Sequence, residues 1–157
     1  MFTKFVDFYI KKEFHQYIKI MELNFKIEGG NFSGAGSASS EVKRTLKQLG
    51  VDASQIKRVV IALYEAEINV VAHAFKGKID VKISADKIFA RIEDEGPGIA
   101  DISKAMQEGF STASSKVREM GFGAGMGLPN IKSNVDKFDI QSVVDKGTIL
   151  EMTFYLA

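Results

Sequence analysis

Cysteine is absent from the 157 residues, which excludes disulfide cross-links and cysteine-ligated zinc. Neither sign of charge is in excess: 21 lysines and arginines face 20 aspartates and glutamates. No long-range field therefore favours nucleic acid or an acidic membrane, and binding must rest on local groups. No apolar run approaches the roughly 20 residues of a membrane helix. The opening MFTKFVDFYIKKEFHQYIKI has neither the continuous apolar segment nor the small-residue cleavage site of a secretory signal. A cytoplasmic protein is expected. No internal repeat or linker divides the chain, and its length suits one core rather than two.

The chain changes period several times. Residues 1–20 are expected to be an N-terminal extension, either an extra helix or an over-long start, with the domain proper over 21–157. From Met21, alternation of Leu23, Phe25 and Ile27 predicts a half-buried strand ended by Gly29 and Gly30. A helix is predicted to begin at Ser39 or Ser40 and to stop at Gly50. The longest helix follows, opened by a capping box of Asp52 and Gln55 and closed by Gly77. KIDVKIS and KIFARIED are two alternating runs separated by Ala85 and Asp86, the spacing of a hairpin. A loop is expected over roughly 94–124. GLPNIKSNVDKF then predicts a helix with Pro129 in its first turn. FDIQSVV and TILEMTFYL, joined through Asp145-Lys146-Gly147, predict a closing hairpin. The sum is an α+β domain: a two-layer sandwich of a mostly antiparallel sheet covered on one face by about three helices.

Three groups of residues could carry chemistry. Glu65, Asn69 and His73 recur every fourth residue, so they share an arc of roughly 80° on the long helix. Burying an unpaired carboxylate among Val59, Leu63, Val70 and Val71 costs several kcal/mol. This stripe therefore meets either water or something charged. Asp94 ends a strand and leads into Gly96-Pro97-Gly98, which is either an ordinary acidic turn or an acceptor for an exocyclic amine beside bare backbone. GFGAGMGLPN (121–130) places glycines at every second position before a helix. Such a stretch is either a hinge or a cradle for phosphate oxygens. It is no dinucleotide fingerprint, because Met126 or Leu128 stands where the third glycine belongs. Neither is it a P-loop, because the lysine is missing from it and from the earlier GGNFSGAG.

The three groups in this order, followed by Gly147-Thr148, resemble the GHKL (histidine-kinase-like) ATPase family over about residues 22–157. EAEINVVAHA is similar to its N-box, DEGPGI to its adenine box and GFGAGMGL to its second glycine box. Size and the segments DEGPGIADISKAMQEGFST and GAGMGLPNIK are closest to the anti-sigma factor and switch-protein serine kinases of bacteria. A histidine kinase's phosphoacceptor helices have no counterpart here, since the histidines are His15 and His73 alone.

The resemblance implies a Bergerat-type ATP-binding fold, with ATP and Mg²⁺ as cofactors. Asn69 would be the metal ligand and Glu65 the general base toward a serine hydroxyl. Asp94 would accept from the adenine amine, Gly96 and Gly98 would leave room for the ring, and Thr148 would support Asp94 through its hydroxyl. Gly123, Gly125, Gly127 and Leu128 would wrap the phosphates, and His73 would orient the site. Residues 109–122 would form a lid, including Gly109, Phe110, Ser111, Thr112 and the hinge Gly121. Lys116 and Arg118 would either help meet phosphate or carry solvated charge. Glu67 adds a second carboxylate beside Glu65, either tuning it or facing water. Implied partners are a STAS-type anti-anti-sigma protein, a sigma factor or a phosphatase, with a homodimer as the assembly and no nucleic acid or membrane involved. The alternative is a non-catalytic module that sequesters a sigma factor or other regulator in response to nucleotide.

Overall fold

The computed structural model describes residues 8–13 and 16–156. Six strands form one sheet in the order β1-β2-β3-β4-β6-β5: β1 (Phe8–Glu13), β2 (Gln16–Glu28), β3 (Lys76–Ile83), β4 (Lys87–Glu95), β5 (Lys137–Val143) and β6 (Gly147–Tyr155). Every neighbouring pair is antiparallel. The helices are α1 (Ser37–Gln48), α2 (Ala53–His73), α3 (Ile102–Ala105), α4 (Ser115–Glu119) and α5 (Gly127–Asn134).

Of the two readings of residues 1–20, an extra helix or an over-long start, the helix is not found where those residues are described, which form strand. β1 pairs with β2 from Phe8 opposite Met21 to Glu13 opposite Gln16, and β2 runs unbroken through residues 20 and 21. The aromatic and β-branched residues in both segments favour strand over helix. Residues 1–7, 14 and 15 lie outside the described residues.

Alternation along the strands builds the core. Leu23 and Ile27, Ile79 and Val81, Ile88, Ala90 and Ile92, and Leu150, Met152 and Phe154 all point inward and are buried. Three helices cover that face. Val42 and Leu46 come from α1, Val59, Leu63, Ala66 and Val70 from α2, and Ile131 from α5. The opposite face carries cross-strand ion pairs such as Lys78–Glu93, Lys82–Glu22 and Arg91–Glu151. These are partly exposed to solvent and contribute little each.

Glycine signals differ in what they mark. Gly50 stops α1 at a φ of +73°, and its N–H and that of Val51 donate back to the carbonyls of Lys47 and Leu46. Gly77 does not end α2. The helix stops at His73, and Gly77 lies inside β3 opposite Asp94. A Cβ on Gly77 would stand 2.8 Å from the Val70 side chain, so this glycine lets β3 pass close beneath α2. At the start of α2, Asp52 accepts the Ser54 N–H at 2.9 Å; the reciprocal Gln55 half of the expected capping box is replaced by a Gln55–Arg58 contact at 3.1 Å.

Candidate functional site

A cleft of about 1030 Å³ opens between α2, the end of β4, α5 and the segment 98–127, at the upper limit of the size range of sites for drug-sized ligands. Glu65, Asn69 and His73 all line it from α2. Asp94, Gly98, Thr148 and Leu128 line it from the sheet side and α5, and Phe110, Ser111, Thr112, Gly121, Gly123, Gly125 and Gly127 complete the wall. The polar stripe on α2 therefore meets a cavity. Gly96 and Gly109 do not line it.

Asp94 is held from the next strand. Its Oδ1 accepts the Thr148 N–H at 3.2 Å, and the β5–β6 turn is anchored where the Asp145 N–H donates to the Pro97 carbonyl at 2.8 Å. Support comes through the Thr148 backbone; its hydroxyl is paired with Ser142 Oγ at 2.8 Å. Ser142 also accepts the Ile99 N–H at 2.8 Å and so ties the glycine-proline segment to β5. At Gly96 and Gly98 the direction a side chain would take is filled by protein, while Gly98 also lines the cleft. A Cβ on Gly98 would fall 2.3 Å from the Val143 carbonyl oxygen, and one on Gly96 would fall 2.9 Å from Ala74 Cα. Both residues are glycine because backbone packs on backbone there. Burial raises the Asp94 carboxyl above its ordinary range, and the Thr148 N–H only partly offsets this. Desolvation likewise lowers the His73 imidazole below its ordinary value.

The second end of the cleft is the start of α5. Unlike α2 and α4, whose Asp52 and Ser114 side chains accept backbone N–H groups, α5 begins at Met126 with no side-chain cap. Pro129 removes one donor from its first turn, and the remaining N–H groups at the cleft are suited to an anion. A Cβ on Gly127 would stand 3.1 Å from Asn69 Oδ1 and 3.5 Å from Glu65 Oε2, so glycine here lets α5 open directly against both side chains. Glu65 Oε1 accepts from Asn130 Nδ2 at 2.9 Å. For Asn69 no hydrogen-bond partner is found among the described residues. Its half-buried amide oxygen faces the cleft, as a hard-cation ligand must.

The expected loop over 94–124 contains two short helices. Asp101 caps α3 by accepting the Lys104 N–H at 3.0 Å, and Ser114 caps α4 by accepting the Val117 N–H at 3.3 Å. The segment 109–122 is folded onto the body. Phe122 stacks on Phe32 with ring centroids 5.3 Å apart, and Lys104 Nζ lies 5.0 Å from the Phe110 ring centre. Gly121 ends α4 at a φ of +85° with open space around it. Lys116 lines a separate, smaller recess behind α4, and Arg118 donates to the Ser111 carbonyl at 3.3 Å. Neither lines the main cleft.

Glu67 neither tunes Glu65 nor faces water. It is fully buried and accepts the Ala38 and Ser39 N–H groups at 3.2 and 3.1 Å. It caps α1 from α2, opposite the positive end of the α1 dipole. The Gly36 N-cap of that helix offers no side chain for the task. Asn130 and Ser142 are site residues that sequence reasoning missed, because a single amide or hydroxyl has no spacing that singles it out.

A sequence profile described as "Histidine kinase-like ATPase domain" matches residues 35–154, which takes in every element of the cleft. The chain belongs to that ATPase family, in the branch of anti-sigma factor kinases. It is 34% identical over 146 residues to the anti-sigma F factor of Thermoanaerobacter sp. strain X514, covering 90% of this chain and 96% of the relative. With the serine/threonine-protein kinase RsbT of Bacillus subtilis strain 168 it shares 36% identity over 120 residues, or 73% of this chain and 83% of RsbT. No helix among the described residues is long and apolar enough to cross a membrane.

Proposed function

We propose that this protein is a Mg²⁺-ATP-dependent protein-serine kinase that phosphorylates a STAS-type anti-anti-sigma protein and thereby changes which regulator it holds, a sigma factor or a phosphatase. The family supports ATP binding, and the names of the relatives supply the kinase and anti-sigma roles. The observation that carries the reading is one convergence: Glu65 Oε2 and Asn69 Oδ1 approach the same point above Gly127, where uncapped α5 opens.

In this reading Asp94 accepts the adenine amine, which an oxygen at that position of guanine could not supply. The backbone of residues 123–128 receives the phosphates, and the segment 109–122 covers them and excludes water. Asn69 would hold Mg²⁺, which when bound would neutralise charge developing on the phosphates in transfer. Glu65 takes the proton of the attacking serine hydroxyl. The new bond joins serine oxygen to the γ-phosphorus, the bond to the β,γ-bridging oxygen breaks, and ADP leaves with that electron pair. His73 lines the cleft beyond Asn69 and shapes it. A cytoplasmic homodimer completes the proposal.

The test is transfer of labelled γ-phosphate to a STAS-type protein. Wild type should label a serine of the partner, and Glu65→Gln should lower the rate roughly 10²- to 10⁴-fold while retaining ATP. Wild-type protein that binds ATP and transfers nothing would leave a nucleotide-responsive sequestering module in place of a kinase.

A further inference from the structure

Asn130 stands one turn into α5, three residues after Gly127. Its side chain reaches across to α2, where Nδ2 donates to Glu65 Oε1 at 2.9 Å. Only the amide nitrogen can face a carboxylate oxygen, so the orientation of the Asn130 amide is fixed by its partner. The backbone around it is braced. The Asn130 N–H donates to the Met126 carbonyl at 2.8 Å, and its own carbonyl accepts from Ser133 Oγ and Asn134 Nδ2. The far end of α5 is tied to the same helix α2 by Arg58, which donates to the Asn134 carbonyl at 3.2 Å and pairs with Asp136 at 2.9 Å. Helix α5 is thus held against α2 at two places three turns of sequence or less from the glycine run.

This arrangement divides the two oxygens of one carboxylate. Oε1 is engaged by Asn130, while Oε2 is left at the opening of α5 beside Asn69 Oδ1. We propose that Asn130 is the positioning residue for Glu65: it orients the carboxylate so that Oε2 faces the incoming hydroxyl, and it couples that orientation to the helix whose start receives phosphate. The inference rests on the reading of Glu65 as the base. The other titratable groups that line the cleft are Tyr64 and His73 on α2, Asp94 on β4, and Asp101 and Lys104 beside α3.

The experiment uses the full chain and two variants, Asn130→Asp and Asn130→Leu. The first keeps the shape but replaces the donor with an acceptor facing Glu65 Oε1; the second removes the polar group altogether. Two readouts are taken for transfer to the partner, kcat and KM for ATP. Both variants should lower kcat at least tenfold, and KM for ATP should change less than threefold in both. Asn130→Gln, which restores a donor, should recover part of kcat. If wild type is an active kinase and both variants keep its kcat, or if KM rises as far as kcat falls, the positioning role is overturned. If wild type transfers no phosphate, the kinase reading fails, and with it any catalytic meaning of Asn130.

Discussion

The Gly109 N–H donates to the Gly125 carbonyl at 2.9 Å, so the two ends of the segment over the cleft are tied to each other by one backbone hydrogen bond. The contact is close enough that a Cβ on Gly125 would fall 2.4 Å from the Gly109 carbonyl carbon. The start of the expected lid and the glycine run are therefore held together at this point of the chain.

That relationship separates two glycines that look alike in GFGAGMGLPN. Gly125→Ala meets both a backbone clash and a left-handed φ of +77°, and it should weaken ATP binding at least tenfold. Gly121→Ala meets a φ of +85° but nothing within 4 Å. The cost of roughly 1–2 kcal/mol falls on the turn that ends α4, so equilibrium affinity should change less than threefold while nucleotide association and release both shift. Stopped-flow binding of a fluorescent ATP analogue measures both. Equal loss of affinity in the two variants contradicts the division.

Replacing Glu67 should act on stability and leave nucleotide binding almost alone. Glu67→Ala strips the acceptor from two buried N–H groups at the start of α1, at a cost of about 2–4 kcal/mol. Glu67→Gln keeps one acceptor oxygen and should lose less. Urea unfolding gives the difference, and calorimetry on the folded variants should find ATP affinity within about threefold of wild type. A large affinity loss with unchanged stability would return Glu67 to the site.

Asp94 predicts two opposite pH trends. Its carboxyl is raised in the folded protein by burial, so the folded state binds this proton more tightly than the unfolded chain does. Stability relative to Asp94→Asn should therefore be greatest at low pH and be lost as pH rises through the folded value. Adenine recognition needs the ionised carboxylate, so ATP affinity should instead decline as pH falls through that same value, at a pH above the ordinary carboxylate range of about 4. Asp94→Asn should bind weakly and show neither trend. Parallel denaturation and calorimetry across pH 4–8 decide it; affinity independent of pH in wild type contradicts the assignment.

Much of this was legible from periodicity. Alternation marked β3, β4 and β6, and the four-residue spacing of Glu65, Asn69 and His73 correctly placed them on one wall. Local signals failed where the deciding partner is distant in sequence. Gly77 reads as a helix stop until Val70 and Glu93 are seen crowding it. Glu67 reads as a neighbour of Glu65, yet the N–H groups it serves are 28 and 29 residues away. The aromatic, basic residues before Met21 read as an extension, because no glycine or proline between the paired residues Glu13 and Gln16 signals a hairpin in the sequence. Asn130 and Ser142 act through single hydrogen bonds that only the folded geometry reveals.

The central claim is that α2 and the start of α5 together hold Mg²⁺-ATP, and titration calorimetry with and without Mg²⁺, on wild type and Asn69→Ala, tests it most directly. Wild type should bind ATP with an affinity that rises at least tenfold when Mg²⁺ is present, and Asn69→Ala should lose that metal-dependent part while remaining folded. Metal-independent binding in wild type, or an Asn69→Ala protein that binds Mg²⁺-ATP as wild type does, would contradict it.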